Sequence, residues 1–400
     1  LPTVQLCSGF GWGTHLGVTT GNAGNKVADG VTGTLGTTIT WVAGATPDGT
    51  GYGVRVGASS QIGWNTDSLG TGKTTFVGHV WVKLSVDPST DKDILTQDTA
   101  LLVGDVGFTY LIATDKIHAY NGASTADSVL NYPPGSGWVL LQWEYFCGAG
   151  THTLKWSLDG VLQTQVDRTK TSTTIATVDL GGAGGTGGSF DYAWPVFSTT
   201  SGDYPLGPHR VATRSVDPAG TVVLSGTSTN FQTFTANGTT AAWNATTARN
   251  NTDDVPVVIG ASADGAMQIA TAATEYMEFP MTPLTLGTGE RVDGLRLEVP
   301  GWASSTTAAT IGFRSWNGTT ETTLQAGTVD PNFDNSTTAP AWVCKMLTLA
   351  DFDTQAELDA MTVRVGFSSN GGQKPGVHGV FVSVAIALDT IPTLHRAVHR

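Results

Sequence analysis

The sequence predicts an all-β protein: two β-sandwich (jelly-roll) domains, with one short helix in the second. Three observations lead there. First, the 400 residues include 51 glycines, and only 13% are charged. Thr and Val fill much of the rest, and their branched β-carbons suit a pleated strand. Second, apolar residues recur with period two, as in TTFVGHVWVKLSV (residues 74–86). Third, the apolar runs are cut by the dipeptides Asp159-Gly160 and Asn317-Gly318, which supply the positive φ angles of tight hairpins. The Leu/Glu/Lys/Ala runs that mark helices are nearly absent.

The elements follow in order. In residues 74–86, Phe76, Val80, Val82 and Leu84 fall on one strand face, and Val77, His79, Trp81 and Lys83 on the other. DILTQD continues the series. FTYLIATDKIHAYNG (residues 108–122) reads as a hairpin with its tip at Thr114-Asp115-Lys116. WVLLQWEYFCG (residues 138–148) is apolar on both faces, as expected of a strand buried on both sides. In THTLKWSLDGVLQTQVD (residues 151–167), Leu154, Trp156 and Leu158 face the core and Asp159-Gly160 turns the chain back. GGAGGTGG (residues 181–188) reads as a flexible loop and SFDYAWPVFS as a strand. The domain boundary is expected near residue 210, giving domains 1–210 and 211–400. In the second, EYMEFPM, DGLRLEVPGW, ATIGFRSWNGTTETTL, MTVRVGFSS and GVFVSVAIAL read as strands. DFDTQAELDAM (residues 351–361) reads as the helix, with Thr354 and Glu357 spaced as a capping box. No short internal repeat is present.

FVGHVWVKLS, ILTQD, WVLLQWEYFCGAGTHTLKWSLDGVLQTQV and VDLGGAGGTGGSFDYAWPVFS occur in an order that resembles the concanavalin A-like, laminin-G-like jelly-roll family. That resemblance implies a sandwich fold for the first domain. It leaves function open, since lectins, glucanases and structural modules share the fold. This domain, the His209-Arg210-Val211 linker and a second sandwich together resemble bacteriophage virion proteins, minor tail proteins in particular.

Charge and cysteine content set outer limits. The net charge of −13 argues against nucleic acid and anionic membrane surfaces as partners. No apolar run approaches the ~20 residues needed to span a bilayer. The segment LPTVQLCSGFGWG has no basic region followed by an apolar stretch, so Sec-dependent secretion is not expected. Cys7, Cys147 and Cys344 are odd in number and far apart, which implies no disulfide framework. Cys147 is expected to be a small core residue; a catalytic thiol would need a base partner, and the sequence points to none.

Few residues point to chemistry. Glucanases on this fold carry E-x-D-x-x-E on one strand, and a retaining mechanism needs two carboxyls ~5–5.5 Å apart. Residues 1–210 hold a single glutamate, Glu144. Glu275 and Glu278 are three apart and face opposite sides of a strand. LGTGKTTF (residues 69–76) has Asp67 where a phosphate-binding loop needs its first glycine, and a strand where that loop needs a helix. Asp87, Asp91 and Asp93 are the calcium candidates, without EF-hand spacing. His395 and His399 are four apart in the basic tail TIPTLHRAVHR, which is expected to reach a neighbouring copy. Among twelve tryptophans, Trp12, Trp64 and Trp302 have Gly, Ala or Asn neighbours and are the candidates for stacking on sugar rings, whereas Trp81, Trp143 and Trp156 belong in the core. The sequons at Asn237, Asn244 and Asn335 are expected by chance in so Thr-rich a chain.

The function expected from these readings is a non-enzymatic structural component of a bacteriophage particle, a minor tail protein located in the virion. Its partners would be other virion proteins and copies of itself. The alternatives are a lectin-like host-recognition module and a capsid decoration protein. The carboxylate count argues against a glycoside hydrolase.

Overall fold

The computed structural model describes residues 4–8, 30–32, 38–65, 72–99, 102–148, 150–171, 174–182, 186–226, 228, 231–235, 239–242, 244, 265–268, 275–303, 309–321, 325–329, 341–367, 375–377 and 379–389. The chain is all-β and divides into two compact units. The first is built on residues 28–211 with a final piece from Ala385, the second on Ala212–Val384.

In the first unit, one sheet has nine strands: β1 (Leu6–Cys7), β3 (Ile39–Ala43), β4 (Tyr52–Val56), β6 (Thr75–Pro88), β11 (Val139–Cys147), β12 (His152–Leu158), β13 (Val161–Leu162), β14 (Val166–Arg168) and β16 (Gly187–Ser198). Its main order is β13-β12-β11-β6-β16-β4-β3. The second sheet has seven: β2 (Gly30–Thr32), β5 (Ser60–Asn65), β7 (Lys92–Thr99), β8 (Leu102–Leu111), β9 (Lys116–Asn121), β10 (Ser124–Asp127) and β15 (Ile175–Gly182). Rings from the two sheets interdigitate between them. Trp64 stands edge-on to Phe197 at 5.3 Å between centroids, and Phe108 meets Trp143 at 6.0 Å and Trp156 at 5.4 Å. These contacts make the pair of sheets a sandwich. Leu154, Trp156 and Leu158 are buried, as their alternation predicts. Asp159 (φ 49°) and Gly160 (φ 79°) form the expected hairpin turn. The other predicted hairpin tip lies between β8 and β9, with Asp115 at φ 54°.

Two local readings are corrected. The ends of the expected glycine loop, Gly181-Gly182 and Gly187-Gly188, are strand residues of β15 and β16. Trp64 lies in β5, not in a loop. Gly63 beside it is there for space: a Cβ would fall 1.6 Å from an Asp179 carboxylate oxygen.

Two further sheets belong mainly to the second unit. Eight strands form one: β17 (His209–Arg214), β19 (Phe231–Thr235), β20 (Thr239–Ala242), β21 (Gly265–Gln268), β23 (Arg291–Ala303), β26 (Ala341–Met346), β28 (Pro375–Val377) and β29 (Phe381–Ala387). The other has five, in the order β18 (Val223–Ser225), β22 (Tyr276–Pro280), β27 (Thr362–Phe367), β24 (Ala309–Trp316), β25 (Gln325–Val329). One face of the five-stranded sheet is apolar, with Met277, Phe279, Val363 and Val365 buried. The helix α1 (Gln355–Asp359) starts at the predicted capping box, Thr354 with Glu357. Buried Arg214 anchors it, donating from Nη1 to the Leu358 carbonyl at 2.8 Å and from Nε to that of Thr282 at 2.6 Å.

Candidate functional site

The outward face of the nine-stranded sheet carries the polar side chains of β6, β11, β12 and β16. At one end Asp191 accepts two bonds from Arg55 (2.7 and 3.0 Å) and one from Ser85 (2.9 Å). Further along are His79, Gln142, Ser157 and Glu144, with Lys155 2.7 Å from the Glu144 carboxylate. The chain itself closes this part of the face. The Gly207 amide donates to Gln142 Oε1 (2.8 Å), the His209 amide to His79 Nε2 (3.0 Å), and Trp81 Nε1 to the His209 carbonyl (3.1 Å). The His79 ring also meets the carbonyl of Trp194 (3.2 Å), a bulged residue with φ 52°. These groups anchor the segment that leads out of the unit.

The sequence candidates fare unevenly. Trp64 is fully buried and offers no face to a sugar, which removes it as a stacking residue. Trp12 lies outside the described residues, and so does the side chain of Trp302, whose backbone runs in β23. Asp91 accepts the Ile112 amide (3.0 Å) and Asp93 the Thr109 hydroxyl (3.0 Å), and Asp87 is exposed. Among the described residues, no three His, Cys, Asp and Glu side chains gather as a group that could hold a metal ion. His395 and His399, with the rest of the basic tail, lie outside the described residues. Cys147 does have a base beside it: His152 Nε2 is 3.4 Å from its sulfur, and His152 Nδ1 is 2.6 Å from the Tyr145 hydroxyl. All three side chains are fully buried, which makes this a core network.

The cluster that sequence reasoning missed lies on the outward face of the five-stranded sheet. Alternation turns Tyr276, Glu278, Thr362, Arg364, Arg314 and Trp316 away from the buried side. Register then lines them up in rows. Tyr276 stands opposite Gly366, and Gly366 opposite Gly312; Glu278 stands opposite Arg364, and Arg364 opposite Arg314; Thr362 stands opposite Trp316. The middle row holds the charges, with an aromatic ring in the row on either side. Arg364 lies over both rings, its guanidinium carbon 4.8 Å from each centroid. Its Nε donates to Glu278 (2.7 Å) and its Nη1 to Glu321 (3.1 Å). Arg314 donates to the other Glu321 oxygen (2.8 Å), and Thr362 to the other Glu278 oxygen (3.0 Å).

Glu321 reaches this row through the turn that Asn317-Gly318 predicts. The Asn317 side-chain carbonyl accepts the Thr319 (3.0 Å) and Thr320 (2.7 Å) amides, and Gly318 takes φ 96°. Glu321 is thereby bridged back to Trp316. Burial acts against the Arg364 charge, but the bonds to Glu278 and Glu321 outweigh it and hold the guanidinium above its usual pKa. Burial would raise Glu321; the hydrogen bonds from Arg364 and Arg314 prevail and leave its carboxyl below the usual range. An ionised carboxylate held by two guanidiniums accepts hydrogen bonds but has no proton to give.

No protein-family model matches the chain, and no curated protein does. Solved structures do. A Trypanosoma rangeli sialidase is 14% identical, with a TM-score of 0.30 over 37% of this chain and 25% of the sialidase. An alginate lyase of polysaccharide lyase family 7 is 10% identical, with a TM-score of 0.28 over 40% of this chain and 81% of the lyase. The catalytic domain of a glycoside hydrolase family 131 protein from Coprinopsis cinerea is 10% identical, with a TM-score of 0.30 over 42% of this chain and 80% of that domain. The chain thus spans about a quarter of the sialidase it matches. These likenesses are partial and concern the fold. They correct one expectation: the solved structures matched include carbohydrate-acting enzymes, so the reading of the chain as a non-enzyme no longer stands.

Proposed function

We propose that the protein contacts carbohydrate through the outward face of the five-stranded sheet, and that it does so as part of a bacteriophage particle, in the place of a minor tail protein. One observation carries the glycan reading: two half-buried rings, two carboxylates and two guanidiniums held on one outward strand face in a fixed hydrogen-bonded array. A pyranose has an apolar C–H face and a rim of hydroxyls. Aromatic rings suit the face, and charged groups fixed by their own network suit the rim at little ordering cost. The virion setting and its partners, other virion proteins and further copies of this chain, rest on the sequence motifs of residues 74–211.

The test is calorimetric titration of the purified chain with bacterial-envelope polysaccharides and defined oligosaccharides, with glycan integrity followed in the same samples. Saturable binding that Trp316→Ala weakens about tenfold supports the reading, a loss of ~1.4 kcal/mol. Binding that is unchanged in Trp316→Ala places the contact elsewhere. Antibody against the chain labelling intact particles, as opposed to lysate alone, tests the virion setting.

A further inference from the structure

Resting on the glycan reading above, we infer that this platform selects uncharged, hydroxyl-rich glycans and excludes acidic ones such as uronates, sialic acids and sulfated or phosphorylated sugars.

Charge balance sets the selectivity. The array holds two guanidiniums, Arg364 and Arg314, and two carboxylates, Glu278 and Glu321. Each guanidinium is bonded to at least one carboxylate, and Glu321 is bonded to both. Among the described side chains of the array the local sum is zero. An incoming anionic sugar would have to displace Glu278 or Glu321 from Arg364, or approach both carboxylates without gaining a free cation. The surrounding chain adds nothing to attract it, at a net charge of −13. A neutral polyol meets neither obstacle. Its hydroxyls donate to lone pairs left on the carboxylates, each with about four acceptor sites, and accept from guanidinium N–H groups. Its C–H face lies against Tyr276 and Trp316.

Pairing also fixes the platform's state against pH. The hydrogen bonds from both arginines hold the Glu321 carboxyl below its usual pKa. Neutral-glycan affinity is expected to be level between about pH 6 and 8.

The experiment uses the full chain and two sets of probes. The neutral set is dextran, a galactan and an arabinan; the acidic set is alginate, polygalacturonate and polysialic acid. Affinities are measured at low and high salt for the unmodified protein and for Glu321→Gln. Gln keeps the shape and an acceptor for Arg364 but leaves the array with one uncompensated positive charge. The expected result is binding within the neutral set that salt barely alters, and none within the acidic set. Glu321→Gln should then gain affinity for acidic glycans at low salt by a factor between about 3 and about 100, the span a unit charge at ~6 Å gives between water-like and protein-surface screening. That gain should disappear at high salt. Because it is a gain of binding, loss of folding cannot imitate it.

Salt-sensitive binding of acidic glycans by the unmodified protein, tighter than any neutral one, overturns the selectivity and leaves the glycan reading standing. A Glu321→Gln variant that melts as the parent does, yet gains nothing, also overturns it. Binding of neither set overturns both.

Discussion

His79 can keep both ring nitrogens satisfied only while neutral. With its proton on Nδ1 it donates to the Trp194 carbonyl, and its bare Nε2 accepts the His209 amide. Protonation would set an N–H against an N–H inside the protein. Burial pushes the pKa well below its usual value, and His209 adds to this. The unfolded chain, with an ordinary histidine near pH 6.5, then binds the proton more readily than the folded one. The stability His79 contributes is thus present above about pH 6.5 and lost as pH falls below it. Glu298, in the second unit, works the other way. Burial raises its pKa to about 7, against the opposing pull of Arg296 and Ser383. Between the usual carboxyl value and about pH 7 the folded chain holds the extra proton, so stability falls as pH rises across that window. Glu298→Gln should flatten this fall, and thermal melts from pH 4 to 8 check it; a parallel slope in parent and variant would show that Glu298 does not titrate there. Trp156→Ala should cost ~3–5 kcal/mol, the usual price of truncating a buried ring, and an unchanged urea midpoint would remove Trp156 from the core.

At the scale of elements, the hairpins and the helix start were legible because each depends on a few adjacent residues. Asp159-Gly160, Asn317-Gly318 and the Thr354/Glu357 box all sit where their chemistry requires. Thr354→Ala should destabilise the second unit by ~1 kcal/mol, the cost of a lost N-cap, as read from its denaturation midpoint. Trp64 was misread for the converse reason. Gly63 and Asn65 look like loop residues, but the glycine is there to make room for Asp179 on a neighbouring strand, a fact held 116 positions away in Asp179. The aromatic-charged platform was hidden in the same way. By strand alternation alone, Glu275 and Glu278 fall on opposite faces. Glu278 meets Arg364 only through antiparallel register across 86 positions. Arg214 belongs to this class too: burial pushes its pKa down to about 10, and it donates to the carbonyls of Thr282, Leu358 and Met281 and to the Met361 thioether. Arg214→Met removes the donors that hold those carbonyls, so the variant should lower the melting temperature of the second unit more than Thr354→Ala does.

At the scale of the whole molecule, fold class was the most legible property, because composition and period-two patterning act along the entire chain. Function was the least legible. The polar face of the first unit's nine-stranded sheet is occupied at Gln142 and His79 by the chain's own Gly207–His209 backbone. The residues proposed to meet a ligand come instead from β22, β24 and β27 and the turn before Glu321. The most direct test of that proposal is the affinity of one neutral glycan for the parent chain and for Trp316→Ala, with melting curves of both proteins taken in the same buffer. The account predicts saturable binding by the parent, about tenfold weaker binding by a variant that is still folded, and little dependence on salt. Equal affinity in the two folded proteins would contradict it.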